Sequence, residues 1–224
     1  MDYGKLKKKA IVLDFDGTIC RLFENYDLQA VSNHLHDSLV KYGVNFEENQ
    51  DCFNVFDVIK SQVTDSEQLK QAMIVADEIL QFAECQAVKT AVEISGIKEF
   101  FDYCKRNQIL LGVATNNSPQ CIRQYLKMRE LNICIPVYGR NPLCLEHLKP
   151  NPWSLNNVIK DLRVSKEQVL FLGDNPTDLE CSLSAGVDFI AITSTEKKKK
   201  RFERAKLTCE ILENYYELLK LCVK

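Results

Sequence analysis

Two aspartates, Asp14 and Asp16, stand two residues apart directly after a short apolar run, Ala10–Leu13. Side chains alternate along an extended chain, so residues two apart point to the same side. At the end of a strand both carboxylates can therefore address one small volume, where they repel each other unless a cation or a shared proton compensates. Gly17 and Thr18 follow and favour a turn. The pair indicates chemistry rather than an ordinary loop.

Three further groups of polar residues follow apolar runs later in the chain. Thr115 and Asn116 stand after a second run, Lys149 after a weaker one, and Asp174 with Asp178 after a fourth. In a parallel α/β sheet, ligands bind at the carboxyl ends of the strands. We therefore expect all four groups to converge on one crevice.

The convergent set has a coherent chemistry. It supplies four carboxylates, from Asp14, Asp16, Asp174 and Asp178. Hard oxygen ligands of this kind suit Mg²⁺. A threonine hydroxyl and asparagine amides before a helix suit an anion, and a lysine adds positive charge. A cation, an ammonium and oriented donors together favour phosphoryl transfer, in which an aspartate can be the attacking group.

The elements that must position these residues alternate between strand and helix. Continuous apolar runs, typical of strands buried on both faces, span residues 10–13, 109–114, 168–172 and 187–192, with a weaker run at 133–138. Helix-period segments lie between them, at 97–107, 118–130, 152–162 and 177–185. The alternation predicts an α/β fold, a doubly wound Rossmann-like parallel sheet.

Residues 21–94 depart from this alternation. Apolar residues recur there at three- and four-residue steps, which predicts amphipathic helices with no strand between them. We therefore expect a small inserted α-helical cap domain at residues 20–94. The α/β core domain is then formed by residues 1–19 and 95–224. Near the C-terminus, the basic run at 197–201 is predicted to be a solvated surface turn rather than a nuclear-localisation-like patch, and residues 211–219 a closing amphipathic helix.

Composition narrows the class of protein. The formal net charge of −2 argues against a dedicated nucleic-acid binder. The ten cysteines form no CxxC pair and only three histidines are present, so zinc-ligand spacing is absent and a reducing compartment is favoured. The basic stretch at residues 5–9 leads into too few apolar residues for a signal peptide, and no run has the length of a membrane span. We expect a cytoplasmic protein with no membrane or nucleic-acid partner; the sequence carries no signal for its oligomeric state.

In their order and spacing, the four motifs resemble those of haloacid dehalogenase superfamily hydrolases. The resemblance is to the helical-cap (C1) phosphatase branch, which includes phosphoglycolate phosphatases and β-phosphoglucomutases, and it covers about residues 10–192. The joint occurrence of the motifs makes it specific, whereas each motif alone is weak. The resemblance implies a Mg²⁺-dependent phosphatase of a small phosphorylated metabolite.

The resemblance also implies a role for each residue. Asp14 would attack phosphorus and bind Mg²⁺, and Asp16 would act as acid and base, with its backbone carbonyl reaching the metal. Phosphate binding would fall to Thr115, Asn116 and Lys149. Direct metal binding would fall to Asp174, with Asp178 binding the ion or orienting its waters. Outside the motifs, the residues themselves make Arg21 and Arg140 candidate anion contacts, although a surface role is the default for Arg21.

Three alternatives concern the reaction. Asp16 argues against dehalogenation, because the dehalogenases that this pattern resembles lack an acid two residues after the nucleophile. A sugar phosphomutase of the β-phosphoglucomutase type would use the same core and differ only in the phosphoryl acceptor. An inactive module that retains the Mg²⁺ site is the third alternative, and the complete set of polar residues argues against it. The identity of the substrate stays open, since the fold and core do not fix it.

Overall fold

The computed structural model describes residues 8–130 and 135–223, and its central feature is a parallel β-sheet. The strands in these residues are β1 (Ala10–Leu13), β2 (Cys20–Arg21), β3 (Val92–Glu93), β4 (Leu110–Ala114), β5 (Val137–Tyr138), β6 (Val169–Gly173), β7 (Asp188–Ile192) and β8 (Glu210–Leu212). Six of them form one sheet in the order β5-β4-β1-β6-β7-β8, and every neighbouring pair is parallel. β2 and β3 form a separate antiparallel pair.

Helices cover both faces of this sheet. They are α4 (Ile97–Arg106), α5 (Pro119–Met128), α6 (Trp153–Leu162), α7 (Pro176–Ala185), α8 (Glu196–Arg204) and α9 (Tyr215–Val223). Alternation along β1 sends Ile11 and Leu13 into a cluster with α4, α5 and α9, and Ala10 and Val12 into a cluster with α6, α7 and α8. The predicted doubly wound α/β fold is confirmed.

The strand order determines where ligands can bind. From β1 the chain builds outward through β4 and β5 on one side, and then through β6, β7 and β8 on the other. Such a reversal opens a crevice at the carboxyl ends of the central strands. Here those strands are β1 and β6, which are followed by Asp14 and Asp174.

The segment between β2 and β3 contains three helices, α1 (Leu28–Leu39), α2 (Val55–Gln62) and α3 (Ser66–Ala87). Their apolar faces form a hydrophobic cluster of their own, distinct from the two clusters on the sheet. This separation supports the predicted division into a core of residues 1–19 and 95–224 and a cap of residues 20–94, and we keep that division as a working proposal.

The expectation of no strand within residues 21–94 was wrong. Arg21 pairs with Val92, and Cys20 with Glu93, where the chain leaves the core and returns to it. Strands of two residues are too short to leave a periodic pattern in the sequence. They form because the two ends of the insertion are brought side by side.

Two predictions near the C-terminus were also wrong. Residues 197–201 belong to helix α8 rather than to a turn, with Thr195 as its N-cap. The expected helix at 211–219 is divided into strand β8, which pairs with β7, and helix α9. The open edge of β7 offers backbone partners to this segment, and that pairing overrides its helical pattern.

The remaining elements agree with the predicted ones to within a few residues. Of the weak run at 133–138, residues 133 and 134 lie outside the described part of the chain, and strand β5 occupies the end of it. Among the helices that the structure describes, none has both the length and the apolarity that a bilayer crossing needs.

Candidate active site

Asp14 and Asp16 lie in a tight loop at the end of β1. The Asp14 amide continues the sheet by donating to the Leu172 carbonyl at 2.8 Å, and the carboxylate is buried. Gly17 follows with a φ of 92°, a backbone conformation that favours glycine. A β-carbon at this position would collide with the Asp174 carboxylate. Gly17 therefore lets the loop close against the end of β6.

The carboxylate of Asp16 is held by the protein backbone. One of its carboxylate oxygens, Oδ1, accepts a hydrogen bond from the Leu22 amide at 2.8 Å. Burial, aided by the charge of Asp14, raises the pKa of Asp16 to about 6, although the Leu22 hydrogen bond opposes the shift. A carboxyl with this pKa can both hold and release a proton near neutral pH, which suits a general acid and base.

Asp174 and Asp178 lie at the junction of β6 and α7. The second carboxylate oxygen of Asp178, Oδ2, accepts hydrogen bonds from the amides of Asp174 (3.1 Å) and Asn175 (3.0 Å). These are donors at the start of α7, where a negative charge is favourable. The absence of a side chain at Gly173 leaves room for Asp178, because a β-carbon there would meet its carboxylate.

Lys149 joins the two sides of the crevice. Its Nζ donates to Asp14 Oδ1 and to Asp178 Oδ1, both at 2.6 Å, and its side chain is 3% exposed. Burial by itself would lower the pKa of Lys149, but the two adjacent carboxylates outweigh this effect and hold the pKa above its ordinary value. The ammonium therefore stays charged in a buried position.

The acidic side chains fit a divalent cation. Asp14, Asp174 and Asp178 each offer a carboxylate oxygen, and these oxygens lie within 4.8 Å of one another in a buried setting. Three buried carboxylates are costly without compensating positive charge, and Mg²⁺ prefers oxygen ligands of this kind. The Asp16 carboxylate does not belong to this group, so only its backbone is left for the predicted metal contact.

The loop after β4 holds Thr115 and Asn116. Asn116 exchanges hydrogen bonds with the Lys149 backbone, accepting from its amide at 2.8 Å and donating to its carbonyl at 3.2 Å. Thr115 is almost fully buried, its hydroxyl bonds to Asn117, and it is not among the residues that line the crevice. The structure thus brings Asn116 and Lys149 to the site and leaves the phosphate contact of Thr115 a prediction.

A buried ionic network behind this loop escaped the sequence analysis. Arg140 donates to Glu84 at 2.8 and 3.2 Å and to the Asn116 carbonyl at 3.1 Å, and it also pairs with Asp77 at 2.5 Å. Glu84, on α3, is 0% exposed and also accepts from the Ser118 amide at 2.9 Å. Arg140 is therefore committed to carboxylates rather than available as the anion contact considered above.

No local pattern could have revealed Glu84, because a single acidic residue on the apolar face of a helix cannot be told from an ordinary interruption of the hydrophobic pattern. Its partners are 34 and 56 residues away in the sequence. The network connects cap helix α3 to the loop that follows β4.

Lys198 also reaches the site. Its ammonium contacts the Asp174 carboxylate, and its side chain is 30% exposed. Burial lowers its pKa from the ordinary lysine value, while the carboxylates of Asp16 and Asp14 oppose the shift. The only signal in the sequence was the basic run itself, which could not show that one of its members turns inward.

These residues surround a cavity of about 740 Å³ between the core and the cap helices. The cations on its wall, Arg140, Lys149, Lys198 and Arg201, all come from the core. The described cap residues on the wall are apolar, polar or acidic, and none of them is basic. The cavity therefore has its positive charge on the side where the aspartates lie.

A comparison with known protein families identifies the family of this chain. Residues 11–192 match the family model described as haloacid dehalogenase-like hydrolase. The chain belongs to this family. The predicted resemblance is thereby confirmed, and the acidic loop after β1 and the Asp174–Asp178 junction are included in the matched range. The match also confirms the prediction of a haloacid dehalogenase-type hydrolase.

Individual relatives are distant but cover nine-tenths or more of the chain. The pyrophosphatase PpaX of Bacillus mycoides is 25% identical over 204 residues, which cover 90% of this chain and 91% of the relative. A solved structure described as a predicted phosphoglycolate phosphatase from Haemophilus somnus has a TM-score of 0.65 at 16% identity, covering 96% and 98% of the two chains. CbbY of Rhodobacter sphaeroides, solved with xylulose-1,5-bisphosphate, has a TM-score of 0.65 at 17% identity, with 94% and 96% covered. The two structural matches support the fold.

Proposed function

We propose that this protein is a Mg²⁺-dependent phosphatase of a small phosphorylated metabolite and that it acts through a phosphorylated Asp14. The observation that carries the proposal is the buried cluster of Asp14, Asp174 and Asp178 at the carboxyl edge of the sheet, in which Asp14 and Asp178 pair with Lys149. The cluster opens into a cavity large enough for a small ligand. We also keep the cytoplasm as the predicted location.

In the proposed reaction, a carboxylate oxygen of Asp14 attacks the phosphorus, and the bond from phosphorus to the leaving oxygen breaks. Asp16 gives its proton to that oxygen. A water then attacks the phosphorus of phospho-Asp14 and passes a proton to Asp16, which releases inorganic phosphate and restores both aspartates. Lys149 orients Asp14 and balances the developing charge. Mg²⁺, held by Asp14, Asp174 and Asp178, would supply charge neutralisation.

Hydrolysis is favoured over the mutase alternative by the wall of the cavity. A mutase transfers the phosphoryl group to a sugar that already carries a phosphate and must bind that phosphate too, and the described cap residues on the wall supply no basic side chain for it. The relatives add one specific candidate substrate, because PpaX is named a pyrophosphatase. Pyrophosphate therefore belongs in any substrate panel beside phosphoglycolate and sugar phosphates.

The test measures the release of phosphate from each substrate of this panel, once with Mg²⁺ and once with a chelator instead of Mg²⁺. We expect turnover of at least one substrate with Mg²⁺, and a loss of at least about 10³-fold in Asp14→Asn, which removes the attacking group. Asp102→Asn is the matched control, since Asp102 is an exposed aspartate of α4. Full activity of Asp14→Asn would contradict the proposal, and a folded, Mg²⁺-binding protein with no turnover would favour the inactive module.

A further inference from the structure

Helix α8 brings a lysine into the acidic cluster. Of the four successive lysines 197–200, Lys198 is the one whose ammonium contacts Asp174. Lys199 pairs instead with Glu196 and Glu213, and Lys200 is exposed.

The packing of α8 explains why Lys198 turns inward. Phe202 is buried against the sheet and anchors the helix. Residues four apart share one face of a helix, so the anchor at Phe202 directs Lys198 toward the core as well. Thr195 caps the helix by accepting from the Lys198 amide, which fixes the start of the helix beside the site. Local helix geometry therefore determines the position of this lysine.

The contact uses a carboxylate that a metal would need. Asp174 is 3% exposed, and Asp174 is one of the three carboxylates that could hold a cation. The missing side chain at Gly17 makes space for both the Asp174 carboxylate and the Lys198 ammonium, because a β-carbon there would collide with each of them. An ammonium and a divalent ion cannot both occupy the same face of one carboxylate oxygen.

We infer that Lys198 is a positioning residue of the metal site, a tethered cation that holds Asp174 when no metal is bound and must leave it for Mg²⁺ to bind. This inference rests on the proposed Mg²⁺ site but not on the identity of the substrate. Lys149 is not equivalent, because it contacts Asp14 and Asp178 and leaves Asp174 to Lys198. The acidic cluster therefore has one fixed lysine and one exchangeable lysine.

The test is the affinity of the full-length protein for Mg²⁺, measured by titration calorimetry without substrate. A Lys198 ammonium that occupies Asp174 in about nine molecules of ten would weaken the apparent affinity for Mg²⁺ about tenfold. We therefore expect Lys198→Met to bind Mg²⁺ about tenfold more tightly than the wild type. Lys200→Met is the matched control, because it removes the same charge from the same helix at an exposed position. It should stay within about twofold of the wild type, since exposed charges are screened. Lys198→Arg, which keeps a tethered cation, should also stay near the wild type.

A second measurement protects the test against poor folding. Without metal, Lys198→Met should melt at a lower temperature than Lys200→Met, because three buried carboxylates lose a compensating charge, and saturating Mg²⁺ should remove most of that difference. Equal Mg²⁺ affinities for the two variants, or weaker binding by Lys198→Met, would overturn the inference while leaving the proposed function intact. If even the wild type binds no Mg²⁺, the proposed metal site fails and the inference fails with it.

Discussion

At the scale of single residues, Asp14 and Asp16 are alike in type but differ in their surroundings. The Asp14 carboxylate is buried and held by the Lys149 ammonium, whereas that of Asp16 is half-buried and held by the Leu22 backbone amide. Desolvation raises the pKa of Asp16 to about 6, which keeps its proton available near neutral pH. The two environments suit a nucleophile and a proton carrier, respectively, which is the division of labour in the proposed reaction.

The raised pKa of Asp16 predicts a pH-dependent stability. Folding raises this pKa from 3.8 to about 6, so the folded protein binds the proton more tightly and the contribution of Asp16 to stability is lost as the pH rises from about 4 to above 6. In the presence of a chelator, Asp16→Asn should therefore be more stable than the wild type at pH 8, by about 1–3 kcal/mol. Urea unfolding at several pH values measures the difference.

The stabilisation should shrink toward pH 4, where Asp16 is protonated in the folded protein and about half protonated in the unfolded one. Asp102→Asn serves as the control, because Asp102 is exposed and its replacement should change stability little at any pH. A difference between Asp16→Asn and the wild type that is the same at pH 4 and pH 8 would show that the carboxyl is not titrating as inferred.

At the scale of elements, cap helix α3 and the loop after β4 are joined by charge. Arg140 lies between Glu84 and Asp77 of α3 and also donates to the Asn116 carbonyl. Breaking a buried ion pair on one side leaves an uncompensated charge, which costs far more than losing a surface pair. The network thus links the position of the cap to the loop that carries Asn116.

Arg140→Met should accordingly lower the free energy of unfolding by about 3–5 kcal/mol, because it leaves Glu84 buried without its partner. Arg123→Met, which changes an exposed arginine of α5, should stay within about 0.5 kcal/mol of the wild type. Denaturant unfolding measures both variants. The double variant Arg140→Met/Glu84→Leu should regain part of the loss, since it removes the unpaired charge as well. Equal losses in the two arginine variants would show that the network does not stabilise the fold.

At the scale of the whole molecule, helix α9 supports the loop that carries Asp14 and Asp16. Tyr215, at the start of α9, is 0% exposed, and its hydroxyl donates to the Thr18 carbonyl at 3.1 Å. Its ring packs on Phe100 of α4, with ring centroids 4.9 Å apart. A contact spanning 197 residues in sequence therefore supports the turn that carries Asp14 and Asp16.

Tyr215→Phe should lower the free energy of unfolding by about 1–2 kcal/mol, because it leaves the buried Thr18 carbonyl without this donor. Tyr216→Phe is the neighbouring control, since its hydroxyl bonds to Glu99 at an exposed site. Its effect should stay below about 0.5 kcal/mol. Thermal unfolding of the two variants distinguishes them, and equal effects would mean that the bond to Thr18 contributes nothing to stability.

The sequence by itself determined the alternation of strands and helices, the helical insertion and the polar residues that follow β1, β4 and β6. These features depend on local periodicity and on the rule that ligands meet the carboxyl ends of parallel strands, so neighbouring residues are enough to reveal them. The family match and the six-stranded parallel sheet confirm the α/β fold that the alternation predicted.

Only the tertiary structure decided which side chains complete the site. It turned Lys198 toward Asp174, buried Glu84 against Arg140, kept Thr115 off the cavity wall and made a strand of residues 210–212. Each outcome depends on which face of a helix packs on the sheet, or on a partner far away in the sequence. Local patterns hold no information about such partners, because the free energy of these contacts arises only when distant segments meet.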